Sequence, residues 1–155
     1  ISKNQNVIEY SSQGLEYLKN ITKFIKKNNG GILIIDYGYL EKKMKNTLRA
    51  ISNHNYSSIL KNIGKSDITH NLNFSLFRKL IKQLGGMKDM ITTQRDFLMK
   101  MGIEKRAEII SKNQNFSKKA DIYYRLKKLI GENQMGKIFK VMFIKKQNNN
   151  YKLGF

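Results

Sequence analysis

Apolar residues recur near the start of the chain at Leu15, Leu18, Ile21, Phe24 and Ile25. Steps of three and four put them on one helical face and predict an amphipathic helix over residues 9–27. Asn28, Asn29, Gly30 and Gly31 end it, because Asn and Gly tolerate left-handed backbone. The next run, Ile32, Leu33, Ile34 and Ile35, is unbroken and closes on Asp36, Tyr37 and Gly38. That pattern predicts a strand buried on both faces, as in the middle of a parallel α/β sheet.

Residues 39–67 show little periodicity and predict an irregular segment with one short helical turn; loops this long in compact domains carry function or are disordered. A second helix is expected over residues 74–84, capped by Asn73 or Asn71, with Leu76, Phe77, Leu80, Ile81 and Leu84 turned inward and Gly85 and Gly86 ending it. Residues 87–94 read as a strand, residues 97–101, 103–112 and 118–130 as helices punctuated by Gly102 and Gly131, and residues 138–145 as a last strand. Residues 1–146 form one unit, and residues 147–155 form a polar tail. The order is α/β but begins in mid-fold, and three recognisable strands leave residues 32–35 short of sheet neighbours.

The formal charge of +19 over 155 residues raises the question of a polyanionic partner. Lysine outnumbers arginine about five to one and proline is absent, which reads as a coding bias spread over solvated faces. Aromatic residues among the lysines, Tyr123, Tyr124, Phe139 and Phe143, fall at core-like spacings and not as a base-stacking platform. A basic binding module for nucleic acid or an acidic protein is therefore the alternative reading, not the leading one. Without cysteine, disulfides and thiolate metal sites are excluded, and two unpaired histidines supply no metal site. No apolar run approaches the roughly 20 residues of a membrane span. The opening residues, beginning with Ile, show no signal-peptide pattern and read as the start of a fragment. A cytoplasmic or mitochondrial-matrix location is expected.

Asp36, Tyr37 and Gly38 end a strand, where ligands approach open parallel sheets. A carboxylate there could orient a substrate cation or accept a proton, or could cap a tight turn. Arg49 could hold a carboxylate bidentately or form a structural ion pair. His70 reads as surface, and Met87, Met90, Met99 and Met101 as core filler. No nucleophile elbow surrounds any serine, so a hydrolase has no support.

Several segments share a pattern: Thr47-Leu48-Arg49-Ala50 with His54 behind it; Ser66-Asp67-Ile68-Thr69 leading to Leu72-Asn73-Phe74; Thr93-Gln94 leading to Phe97-Leu98 and Met101-Gly102-Ile103; and Gln134 through Val141. In order and spacing they resemble the C-terminal half of the MidA family of S-adenosylmethionine-dependent methyltransferases, across roughly residues 9–144. The resemblance implies an α/β fold: the C-terminal half of a class I, Rossmann-like, seven-stranded methyltransferase sheet, with residues 32–36 as its fifth strand and residues 87–94 and 138–144 as its last two. It implies S-adenosylmethionine as methyl donor and a protein arginine, on a respiratory complex I subunit during assembly, as acceptor.

By the same resemblance Asp36, Tyr37 and His54 are candidate catalytic residues, and Gly38, Thr47, Arg49, Asp67, Thr69 and Phe74 are candidate substrate-binding residues. His54 could equally order the long loop by a hydrogen bond. Asn73 stands where the family usually has Asp, Tyr39 where His is frequent, and Ile63-Gly64 where Pro-Gly is common. The glycine-rich loop after a first strand and the acid ending a second, which hold the cofactor in this class, have no counterpart here, since Gly30 and Gly31 precede a strand. The expectation is a fragment inactive alone, or one completed by a complementary N-terminal half, or a relic of a split gene.

Overall fold

A computed structural model describes residues 4–61 and 63–155. Residues 1–3, with which the fragment reading began, lie outside the described part. The elements run α1 (Ser12–Asn28), β1 (Gly31–Tyr39), β2 (Arg49–Ser52), β3 (Asn55–Ser57), β4 (Asp67–Thr69), β5 (Leu72–Asn73), α2 (Phe74–Leu84), β6 (Met87–Thr93), α3 (Gln94–Lys100), α4 (Ile103–Ser111), α5 (Phe116–Ile130), α6 (Met135–Ile138) and β7 (Phe139–Lys146).

The first helix starts three residues later than its periodicity predicts because Ser11 caps it, its hydroxyl accepting from Gly14 N at 3.0 Å. Its buried face is Leu18, Thr22 and Ile25. Ile21 and Phe24, expected inside, are 38% and 66% exposed. Thr22 fits the apolar face because its hydroxyl donates back to Leu18 O at 2.7 Å. Asn29, at φ 61°, breaks the helix as its sequence suggests. Asn73 caps α2, accepting from Leu76 N at 3.1 Å.

The main sheet has the order β5-β1-β7-β6. β7 lies antiparallel between β1 and β6 and pairs with β1 from Gly31↔Lys145 to Tyr37↔Phe139. On its other side β1 pairs only at its last two residues, Gly38↔Leu72 and Tyr39↔Asn73, parallel to β5. The edge along residues 31–37 has no partner strand among the described residues.

Helices α1 and α2 cover one face of the sheet. There Leu18, Phe74, Ile81, Met142 and Ile144 form the buried cluster, joined by Ile32 and Ile34. The opposite face carries α3 and the chain end: Phe155 packs against Phe97 and Phe143 with ring centroids 5.4 and 6.0 Å apart. Residues 147–155 are thus not a free polar tail. Tyr151 also packs on Phe143, and its carbonyl accepts from the Lys145 ammonium. That lysine side chain is 2% exposed, and its burial, with Lys88 and Lys152 nearby, lowers its pKa.

Two expectations change. The strand over residues 31–39 is not buried on both faces: Ile32 and Ile34 face the core, while Leu33, Ile35 and Tyr37 are 46%, 46% and 42% exposed. Its free edge leaves that second face short of cover. Residues 39–67 are not irregular throughout either, for β2, β3 and β4 make a small antiparallel sheet in the order β3-β2-β4. Asn53 and His54, at φ 49° and 62°, are the central pair of a two-residue hairpin joining Ser52 to Asn55. Two successive positive φ values are the signature of a type I′ turn.

Candidate functional site at the end of the first strand

At the carboxyl end of β1 a cleft of about 490 Å³ opens beside Gly38, Tyr39, Glu41 and Lys45, with Ile138 at the end of α6 and Lys140 near the start of β7 also lining it. Ligands bind beyond strand carboxyl ends in open α/β sheets, so this is the candidate site. The loop that walls it is held from outside. The Gln5 amide clamps Met44, donating to its carbonyl at 3.0 Å and accepting from its N–H at 2.9 Å. The Glu9 carboxylate accepts from Thr47 N at 2.9 Å, Leu48 N at 3.0 Å and the Thr47 hydroxyl. Thr47 Oγ1 in turn accepts from Asn71 N at 2.8 Å.

Inside the cleft the charges are partly spent on one another. Lys45 pairs with Glu41 at 2.5 Å and lies 5.2 Å above the Tyr39 ring. The hydrogen bond from Lys45 is the main reason the Glu41 carboxyl is held below its usual pKa. Lys140 is pushed down, chiefly by burial; Glu41 opposes the shift and Lys45 adds to it.

Of the residues expected from sequence, Gly38 alone lines this cleft. It is glycine for a packing reason, since a Cβ there would stand 2.4 Å from the Phe74 ring and 2.6 Å from Leu72 O. Asp36 lies two residues earlier in the strand, its Oδ1 accepting from Tyr37 N at 2.7 Å, and it sits opposite Lys140 in the β1–β7 register. The Tyr37 ring leans on Phe139 with centroids 4.0 Å apart. Thr47 is spent on the clamp with Glu9.

Arg49, Asp67 and Thr69 are exposed on β2 and β4, where Arg49↔Thr69 and Ile51↔Asp67 are register partners. Among the described residues the Arg49 guanidinium donates only to Leu48 O, at 2.9 Å. His54 is exposed at the hairpin tip. Phe74 has no exposed surface, being 0% accessible inside the α1–α2 cluster, so it has nothing to offer a substrate from that position.

Sequence reasoning passed over Glu41, Lys45, Lys140 and the clamp from Glu9. The Glu41–Lys45 spacing is visible in the sequence as an i,i+4 pair. Lys140 is not, because only the antiparallel register, which sets it opposite Asp36, brings it to the end of β1.

The cleft does not by itself make a cradle for S-adenosylmethionine. Its one lining carboxylate, Glu41, is tied to Lys45, so none is left for ribose hydroxyls, and no glycine-rich turn follows β1.

A family model described as "Putative S-adenosyl-L-methionine-dependent methyltransferase" matches residues 1–93. Among curated relatives, the mitochondrial protein arginine methyltransferase NDUFAF7 of Danio rerio is 28% identical over 136 residues, covering 85% of this chain and 31% of the relative. That of Xenopus tropicalis is 24% identical over 142 residues, covering 91% and 33%. The chain therefore spans about a third of the length of these relatives. In fold it resembles an uncharacterized protein from Burkholderia thailandensis with a TM-score of 0.84 at 20% identity, over 99% of this chain and 43% of the other. A second protein from that organism, solved bound to S-adenosyl-homocysteine, superposes with a TM-score of 0.74 at 23% identity, over 91% and 38%. The MidA resemblance read from the motifs and the match over more than half of the chain agree, and the chain belongs to this family of S-adenosyl-L-methionine-dependent methyltransferases.

Proposed function

We propose that these residues form the acceptor-facing, C-terminal part of a class I methyltransferase that transfers a methyl group from S-adenosylmethionine to a protein arginine, by analogy with its relatives, and on a respiratory complex I subunit, as the MidA resemblance implies. The donor-binding strands lie along the open edge of β1, whether carried on the same polypeptide or on a complementary one, and these residues alone are inactive. The bacterial cytoplasm or the mitochondrial matrix is the proposed compartment. No helix among the described residues is long and apolar enough to cross a membrane.

The observation that carries this reading is β1 itself. Its edge has no partner strand over residues 31–37 among the described residues, and Leu33, Ile35 and Tyr37 stay nearly half exposed on the adjoining face. An open edge beside an apolar face is a liability unless another strand and layer cover it. Covering three half-exposed side chains would return roughly 3 kcal/mol, before any edge hydrogen bonds are counted. The bound donor supplies the methyl group. For the acceptor, Asp36 offers the oxygen not taken by Tyr37 N to a guanidinium N–H.

Isothermal titration tests the division of labour. The chain alone is expected to give no heat with S-adenosylmethionine, and a 1:1 mixture with the portion of the Danio rerio relative that it does not match is expected to bind it. Tight binding by the chain alone would overturn the reading.

A further inference from the structure

The loop after β1 has a second side. Lys42 and Met44 leave Glu41 and Lys45 to the strand-end cleft and themselves join α2 and the start of β6 around a separate groove of about 740 Å³. Met44 and Ile81, both nearly or fully buried, lie in its floor with Leu76 and Met87. Lys42, Lys79, Lys82 and Lys88, all exposed, stand around it. Arg78 is the exception among the cations, held by Asp89 at 2.8 Å.

Elsewhere several lysines are matched to acids at helical spacing, as in Lys19–Glu16 and Lys105–Glu108. The four lysines of the groove have no carboxylate partner among the described residues. A coding bias towards lysine scatters charge over convex faces, whereas here the charges converge on a concave apolar floor. No aromatic side chain lines the groove, so it offers bases nothing to stack on. β6 is the outer strand of its sheet, the kind of edge beside which extended peptides dock.

We propose that this groove docks an extended acidic segment of another polypeptide, with its apolar side chains on the partly exposed Leu76 and Met87 and its carboxylates among the four lysines. The groove and the strand-end cleft share the clamped loop as a common wall, so the segment would flank the methylated arginine of the acceptor protein. That identification rests on the proposed function, while the docking itself does not.

Fluorescence anisotropy of a labelled peptide of about ten alternating Glu and Leu residues, long enough to span the groove in extended form, tests the docking on the full chain. The variant Lys79→Gln/Lys82→Gln/Lys88→Gln is compared with Lys118→Gln/Lys119→Gln/Lys127→Gln on α5, which has the same net charge. The groove variant is expected to raise Kd about tenfold and the α5 variant less than about twofold. Should the groove variant fold poorly, Lys42→Gln, outside both α2 and β6, carries the same test at about a twofold loss. Equal weakening by both triple variants, no binding to the unsubstituted chain, or tighter binding of an oligothymidylate of like charge that displaces the peptide would each overturn the proposal. Methyl transfer plays no part in the readout, so this result and that of the donor titration stand apart.

Discussion

Glu9 illustrates how much one side chain can organise at a distance: from outside any helix or strand it holds Thr47 and Leu48, nearly forty residues on. Burial alone would raise its pKa, but the hydrogen bonds from Thr47 and Leu48, with the charge of His70, outweigh it and leave the carboxyl below its usual 4.5. Because the folded pKa is the lower one, the unfolded chain binds more protons in the interval below 4.5. The stability Glu9 contributes is therefore complete above that value and is lost as pH falls through the folded pKa. Glu9→Gln is expected to cost about 1 kcal/mol at neutral pH and to flatten this acid limb, measured by urea unfolding at several pH values. Gly38 is constrained by space. Gly38→Ala must displace either the Phe74 ring or the Leu72 carbonyl, and a loss of about 2 kcal/mol is expected by the same assay. His54 sits where two positive φ values favour glycine, so His54→Gly should stabilise the chain by about 0.5 kcal/mol; a marked loss of stability would show that the imidazole holds the hairpin together.

Among the elements, β1 decides most. Ile34→Lys puts a charge into the α1–α2 cluster and should unfold the chain. Leu33→Lys or Ile35→Lys, on the uncovered face, should shift stability by less than about 0.5 kcal/mol while abolishing association with the donor-binding half, read by thermal melts and analytical ultracentrifugation. Most helices and the long strands were legible in the sequence because period and caps agree, as with Asn73 before α2 and Gly102 between α3 and α4; the start of α3 was not, because Thr93 and Gln94, read as strand, cap and open that helix. The hairpin of β2 and β3 was not, since strands of three or four residues hold too little periodicity to see. Asn53-His54 also lacks the glycine that advertises a type I′ turn. The continuous apolar run of β1 announced a strand with two buried faces, and the structure covers one; the pattern records the environment for which the strand is suited.

At the scale of the molecule, motif resemblance located a strand-end region but not the groups that converge there. Lys140 reaches the end of β1 through a sheet register formed across about a hundred residues of chain, and the loop carrying Glu41 and Lys45 is fixed by Gln5 and Glu9. Neither is a local signal. The layered arrangement is complete where β7 and β6 lie and open where β1 ends the long pairing, so the completeness of the sheet is the central claim. In an antiparallel pair alternate residues direct their N–H groups to the partner strand, and the others face outward. Hydrogen exchange along β1 therefore separates the two sides directly. In the chain alone, the amides of β1 directed to β7 should be protected and those directed to the open edge should exchange rapidly; adding the donor-binding portion of the Danio rerio relative should protect the second set. Protection of both sets in the chain alone, or rapid exchange of the outer set in the mixture, would contradict the account.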